Sequence, residues 1–148
     1  MSELITLVTS TASGTKWQAI SALRRRVFIE EQNVPENEEW DASDATATHI
    51  AAIFHTGEKY QLVGCARLLA DGQIGRMAVQ KKWRGRGVGA ALLQFTVGVA
   101  RRMRLEKVSL NAQTHAIGFY QRHGFVIDGE EFIDAGIPHR KMHRTVRR

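Results

Sequence analysis

The sequence predicts a mixed α/β fold in a single domain, residues 1–148, and three observations carry that prediction. Short β-branched runs recur along the chain with turn residues between them. Two segments switch instead to apolar residues three and four apart, the helical interval. At 148 residues, 43% of them hydrophobic and 24% charged, the chain has the length and apolar content for one compact core. The element order that results is β-α-β-β-β-α-β-α-β-β.

The first strand is "ELITLVTS", from its β-branched content. In "TKWQAISALRRRVFIEEQ", residues Trp17, Ile20, Leu23, Val27 and Phe28 fall at helical intervals and predict a helix from about Lys16 to Glu31. "NVPENEEWDASDATAT" holds a proline, many polar residues and no period, and is read as a loop. "HIAAIFHT" and "QLVGCARLLA" flank "GEK" as a hairpin, and "ADGQ" turns into a third strand, "IGRMAVQ". A glycine-rich stretch then opens a long helix, "VGAALLQFTVGVARRMR". "KVSLNAQ" is a short buried strand, and "HAIGFYQRHG" a short helix that Gly124 is placed to end. "FVIDGEEFIDAGIPHRKMHRTV" supplies two more strands around Gly136 and Pro138.

No apolar run approaches the roughly 20 residues of a spanning helix, and "MSELITLVTS" lacks the pattern of a signal peptide. A single cysteine, Cys65, gives no disulfide framework and reads as a small buried hydrophobe. His49 and His55 lack metal-ligand spacing, so no metal is expected. A reducing, cytoplasmic setting is the expectation. The net charge of +6 is unevenly spread. Lys81 to Arg104 holds seven bases and no acid, whereas Glu30 to Asp44 holds seven acids and no base. That segregation suggests an anion-binding pole and a cation-binding pole.

The basic pole coincides with "RGRGVGAAL". Glycines there leave backbone N–H groups unshielded, and a helix beginning among them makes an anion site. An ATPase phosphate loop needs Gly-Lys-Ser/Thr, which is absent. A dinucleotide fingerprint at Gly85-x-Gly87-x-x-Ala90 would follow its strand directly, but "QKKWR" intervenes, and the next strand ends without an acid. The remaining pattern is Arg-x-x-Gly-x-Gly at Arg84, Gly87 and Gly89, after an apolar strand and opening a helix.

This pattern resembles the acyl-CoA-binding segment of the GCN5-related N-acetyltransferase (GNAT) family. "IGRMAVQKKWRGRGVGAALLQ" matches that family's strand, loop and helix in order and spacing, and "NAQTHAIGFYQRHGF" matches its second signature. From Ile5 to about Val146 the element order fits. "RRRVFIEEQNVPENEEWD" and "GIPHRKM" resemble its small bacterial ElaA-like branch. The resemblance implies the GNAT fold, a mixed but mostly antiparallel sheet of six to seven strands flanked by helices. It also implies acetyl-CoA as acyl donor, no metal, and an acetyl group passed directly to a primary amine.

Carried onto this chain, the resemblance puts the CoA pyrophosphate on Arg84, Gly85, Arg86, Gly87, Val88, Gly89 and Ala90. The pantetheine arm would pair with Met77, Ala78 and Val79, the Val79 N–H facing the thioester carbonyl. Tyr120 would protonate the departing thiolate, although a tyrosine on an amphipathic helix is more often a core residue with a satisfied hydroxyl. Phe119 is core or cofactor wall. Asn111 is a strand-ending polar residue or a partner for the cofactor or a water. A general base could come from Glu31, Glu36, Glu38, Glu39, Asp41, His115 or His139, of which Glu38 and His139 are taken forward. The acidic loop would border the acceptor side and attract a cationic small-molecule or peptide amine. A homodimer is in keeping with the family, and no membrane partner is expected. The alternative is a basic nucleic-acid-binding module without catalysis, ranked below because "HRKMHRTVRR" lacks interleaved aromatics.

Overall fold

The computed structural model describes residues 4–146. Seven strands form one sheet: β1 (Leu4–Ser10), β2 (Thr48–Thr56), β3 (Lys59–Leu68), β4 (Gln73–Val79), β5 (Lys107–Gln113), β6 (Val126–Asp134) and β7 (Ile137–Thr145), in the order β1-β2-β3-β4-β5-β7-β6. Every neighbouring pair is antiparallel except β4 and β5. The helices are α1 (Gly14–Arg24), α2 (Glu36–Glu39), α3 (Val88–Arg102) and α4 (Ile117–Arg122). Apart from the short α2, the strand and helix order expected from the sequence is the order observed, and the mixed, mostly antiparallel sheet is present.

Period-two alternation, interrupted in β3 by a bulge at Val63, divides the sheet into two buried faces. Ile50, Ala52 and Val63 face α3, where they pack with Val88, Leu92, Leu93 and Val97. Ala51, Ile53, Cys65 and Ala78 point the other way and receive Ile20, Leu23 and Val27 from the first helix. That helix does run to Glu31, but its second half, Arg25–Glu31, is wound as a π-helix, with the Gln32 N–H donating to Val27 O.

Two departures from the sequence reading matter for the site. "NVPENEEWDASDATAT" is not an aperiodic loop: it contains α2 and a 3₁₀ turn at Ala42–Ala45. Nor is most of its acid content a solvated pole. Arg24, fully buried on α1, donates from Nε to Glu39 Oε2 at 2.7 Å and from Nη1 to Asp44 Oδ1 at 2.8 Å. Its Nη2 donates to the Glu39 carbonyl at 2.8 Å, and the Trp40 ring lies 4.8 Å from the guanidinium carbon. Arg67 pairs with Asp41 and Asp44, Arg76 with Glu39 and Asp41, and Arg25 with Glu36. The acids are internal counter-ions because β3, β4 and the first helix deliver four arginines to the segment that carries them.

The second departure is in the strands themselves. Cys65 pairs with Ala78 and Arg67 with Gly75, so Arg76 and Met77 together oppose Ala66. Arg76 takes the left-handed conformation, φ 47°, at this bulge. β4 pairs with β5 at Gln73–Ser109 and Ile74–Leu110, before the bulge, and the two strands part beyond it.

Removing the Arg24 guanidinium strands two largely buried carboxylates, for which a loss of about 3 kcal/mol or more is typical. Arg24→Leu is therefore expected to lower unfolding free energy by that order in urea titration. Arg24→Lys should recover part of it, since one ammonium cannot fork between Glu39 and Asp44.

Candidate active site

The parted strands leave one edge of β4 open. The Gln80 N–H donates to Val63 O across to β3. Successive N–H groups along a strand alternate edges, so the Val79 N–H faces the gap. Met77 is two residues back, and Ala78 between them is buried against the first helix. At the mouth of the gap, Gly85 and Gly87 adopt φ 77° and 85°, conformations in which an L side chain is strained. A Cβ at either would meet nothing within 4 Å, so the loop is open on its outer side. Gly87 caps α3, whose first N–H groups have no acceptor within the helix. Val88 is buried, Gly89 and Ala90 partly so, and Gly89 lies beside Val79 and Phe119. Arg86 sits over the buried Trp83 ring at 4.8 Å. Arg84 donates from Nε to Val79 O at 2.9 Å and from Nη2 to Glu31 at 2.8 Å.

Below the gap lies a cavity of about 190 Å³. Met77, Asn111, Tyr120, His139, Glu38 and Arg76 are among its walls. It therefore brings together side chains from β4, β5, α4, β7 and α2. Tyr120 packs its ring against Phe119 and Phe125, and its hydroxyl makes no hydrogen bond among the described residues. Burial pushes its pKa up to about 12, so it holds its proton throughout the neutral range. His139 is 8% exposed. Its Nδ1 lies 2.7 Å from Ile137 O, and a carbonyl only accepts, so Nδ1 carries the hydrogen and a neutral ring presents the lone pair on Nε2.

Of the other base candidates, Glu31, Glu36, Glu39 and Asp41 are committed to arginines. Burial raises the Glu39 pKa against the pull of Arg24 and Arg76. For Asp44, the hydrogen bonds and charges of Arg24 and Arg67 outweigh burial and hold it below the usual carboxylate range. Among the described residues Glu38 alone of the loop acids from Glu36 to Asp44 has no ion pair, and it lines the cavity. His115 is exposed and is not among the cavity walls. Asn111 lines the cavity from within β5 rather than ending the strand; the last residue is Gln113, which donates to Gln32 at 2.9 Å. Phe119 packs on the core and its ring edge flanks Gly89. Cys65 is buried with its thiol pushed up to about 12, as an inert core residue should be.

Sequence reasoning missed Arg67, Arg76, Gln32 and Gln113. A signal existed for the first: an arginine inside the apolar run "GCARLL" can be buried only with a counter-ion, and the acid-rich segment was the available source.

A sheet of this order, parted beyond a bulge with a glycine-opened helix at the mouth, defines an acyltransferase fold. The chain belongs to the GNAT family: the family model described as an acetyltransferase (GNAT) domain matches residues 18–146. An uncharacterized N-acetyltransferase of Bacillus subtilis, YjcF, is 38% identical over 122 residues, 81% of this chain and 86% of that protein. The crystal structure of Escherichia coli ElaA superposes with a TM-score of 0.83 at 31% identity, covering 95% of this chain and 99% of that one. A GNAT acetyltransferase of Elizabethkingia anophelis, solved with acetyl-CoA bound, has the same fold at 17% identity and a TM-score of 0.64, covering 95% and 97% of the two chains.

The loop geometry separates its glycines. Gly87→Ala forces a Cβ into a left-handed backbone and should cost about 1 kcal/mol of stability. At Gly89 the added Cβ would sit 3.7 Å from Phe119, an ordinary contact on helical backbone, so Gly89→Ala should not destabilise. Thermal melts of the two variants check this.

Proposed function

We propose that this chain transfers an acetyl group from acetyl-CoA to a primary amine, by direct attack in a ternary complex. One observation carries the reading: the open β4 edge at Val79 lies between the glycine-lined start of α3 and a cavity walled by Tyr120, His139 and Glu38. The binding of acetyl-CoA by the Elizabethkingia relative supports the choice of donor. The donor fits the residues present, since its phosphates need the N–H groups and cations that Arg84–Ala90 offer, and its amide-bearing arm needs an unpaired strand edge. Acetyl-CoA supplies an activated acyl group on a good thiolate leaving group.

The chain's own residues do the rest. The Val79 N–H, fixed in the strand, is available to the thioester oxygen as negative charge gathers there. Glu38, at the cavity wall with no ion pair among the described residues, attracts a cationic amine, and Glu38 or His139 Nε2 takes the proton that the amine must lose. Tyr120, neutral to about 12, donates its proton to the thiolate. The walls hold the amine and thioester together, which reduces the entropy cost of their encounter. The cavity volume favours a small acceptor or a single extended side chain.

Acetyl-CoA at many times its Kd should raise the melting temperature, whereas an oligonucleotide at moderate salt should not; the reverse result would favour the nucleic-acid alternative. Tyr120→Phe keeps the ring and removes the proton. It should cut kcat roughly 10- to 1000-fold while acetyl-CoA affinity barely moves. Because a group that titrates near 12 creates no limb at lower pH, the shape of the pH–rate profile between about pH 6 and pH 10 should survive the substitution. Glu38→Gln and His139→Gln, each assayed at saturating acetyl-CoA, should identify the base: its variant loses kcat by roughly 10-fold or more, and the other keeps most of it.

A further inference from the structure

Glu31 and Gln32 close the π-wound segment, and each reaches one side of the parted strands. Gln32 Oε1 accepts from Gln113 Nε2 at the end of β5. Glu31 Oε1 accepts from Arg84 Nη2, on the loop that follows β4. Arg84 is the first residue of the glycine pattern, and its Nε is already given to Val79 O at the gap edge. Its guanidinium therefore rests on a carboxylate and a carbonyl at the entrance where a diphosphate would arrive. A guanidinium forks equally well onto a carboxylate or a phosphate, and it cannot keep the same N–H groups on both. The Glu31–Arg84 pair is solvent-accessible on both sides, so exchange needs no buried charge to be uncovered.

We propose that Glu31 is a built-in competitor for the CoA pyrophosphate at Arg84, and so a positioning residue that weakens acyl-CoA binding. The inference rests on the acyl-CoA reading above. In the resting protein the carboxylate holds Arg84 across the mouth of the gap. When a diphosphate binds on the Gly85–Ala90 amides, it takes the Arg84 Nη donors and Glu31 is released to solvent. The Gln32–Gln113 bond keeps the segment anchored during the exchange. Phe28, Gln32 and Val34 from the same stretch line the acceptor cavity, so the donor site and the acceptor wall are joined through this pair. Departure of CoA reverses the exchange, with Glu31 recapturing the arginine as the product leaves.

Calorimetry of acetyl-CoA binding to the parent, Glu31→Gln, Arg84→Gln and the double variant tests this. Exposed ion pairs are weak, so Glu31→Gln should tighten Kd modestly, roughly two- to fivefold. In the Arg84→Gln background the same change should do nothing, because there is no guanidinium to compete for. As a control, the KM for S-acetylpantetheine, which lacks the diphosphate, should be the same in the parent and Glu31→Gln. A merely structural role for the pair predicts the opposite sign, a loosened segment and weaker binding. Unchanged or weaker affinity in Glu31→Gln, or an equal gain in both backgrounds, overturns the proposal. If the parent itself fails to bind acetyl-CoA, the acyl-CoA reading falls, and this inference falls with it.

Discussion

The buried Arg24 guanidinium is the contact on which the site's architecture depends. It sits on the first helix, yet its donors are spent on Glu39 and Asp44, either side of Trp40. A segment with little apolar periodicity is thereby folded onto the sheet by charge-assisted hydrogen bonds instead of by hydrophobic burial. Arg67 and Arg76 extend the same network from β3 and β4. Once the segment is fixed, Glu38 lies at the cavity wall. Ion pairs of this kind contribute little net stability after desolvation, but they are demanding in geometry, which suits them to locating a wall.

The gap has a different cause. One extra residue in β4 turns the strand away from β5, and a sheet that would otherwise be continuous opens along a line. Backbone groups that a sheet normally satisfies internally are left facing a channel. The left-handed Arg76 at the bulge also sends its side chain to the Glu38 and Glu39 carbonyls, at 3.2 and 3.1 Å. The distortion that parts the strands is thus held by the same acidic segment that walls the cavity. Opening the sheet and closing the cavity are one structural event.

How much of this was legible in the sequence follows from the range of the interactions. Strands and helices came through because their patterns are local, and the tight turn into α3 was legible because Gly85 and Gly87 supply the left-handed backbone it uses. The ion-pair network did not. Residues such as Arg24 and Glu39, or Arg67 and Asp41, meet through tertiary placement, and an acid-rich stretch looks the same whether it faces water or arginine. The π-winding of Arg25–Glu31 is hidden because Val27 and Phe28 keep a helix-like spacing under either winding. Nothing in "IGRMAV" marks Arg76 as left-handed, since arginine has no preference for that conformation. Tyr120, His139 and Glu38 were each singled out, but their meeting in one cavity required the fold.

The β6–β7 hairpin is built on other terms. Most of β6 is exposed, and Glu131, Phe132 and Ile133 are held chiefly by pairing with β7. Its tip, Asp134 to Ile137, nevertheless forms part of the cavity wall. The side of the pocket contributed by the arginine network is welded to the core, whereas the side contributed by the hairpin is a free margin. Substitution at that margin can reshape what the pocket admits while leaving the hydrophobic interior untouched. A lineage sharing this scaffold has a place to diversify in specificity without renegotiating its fold.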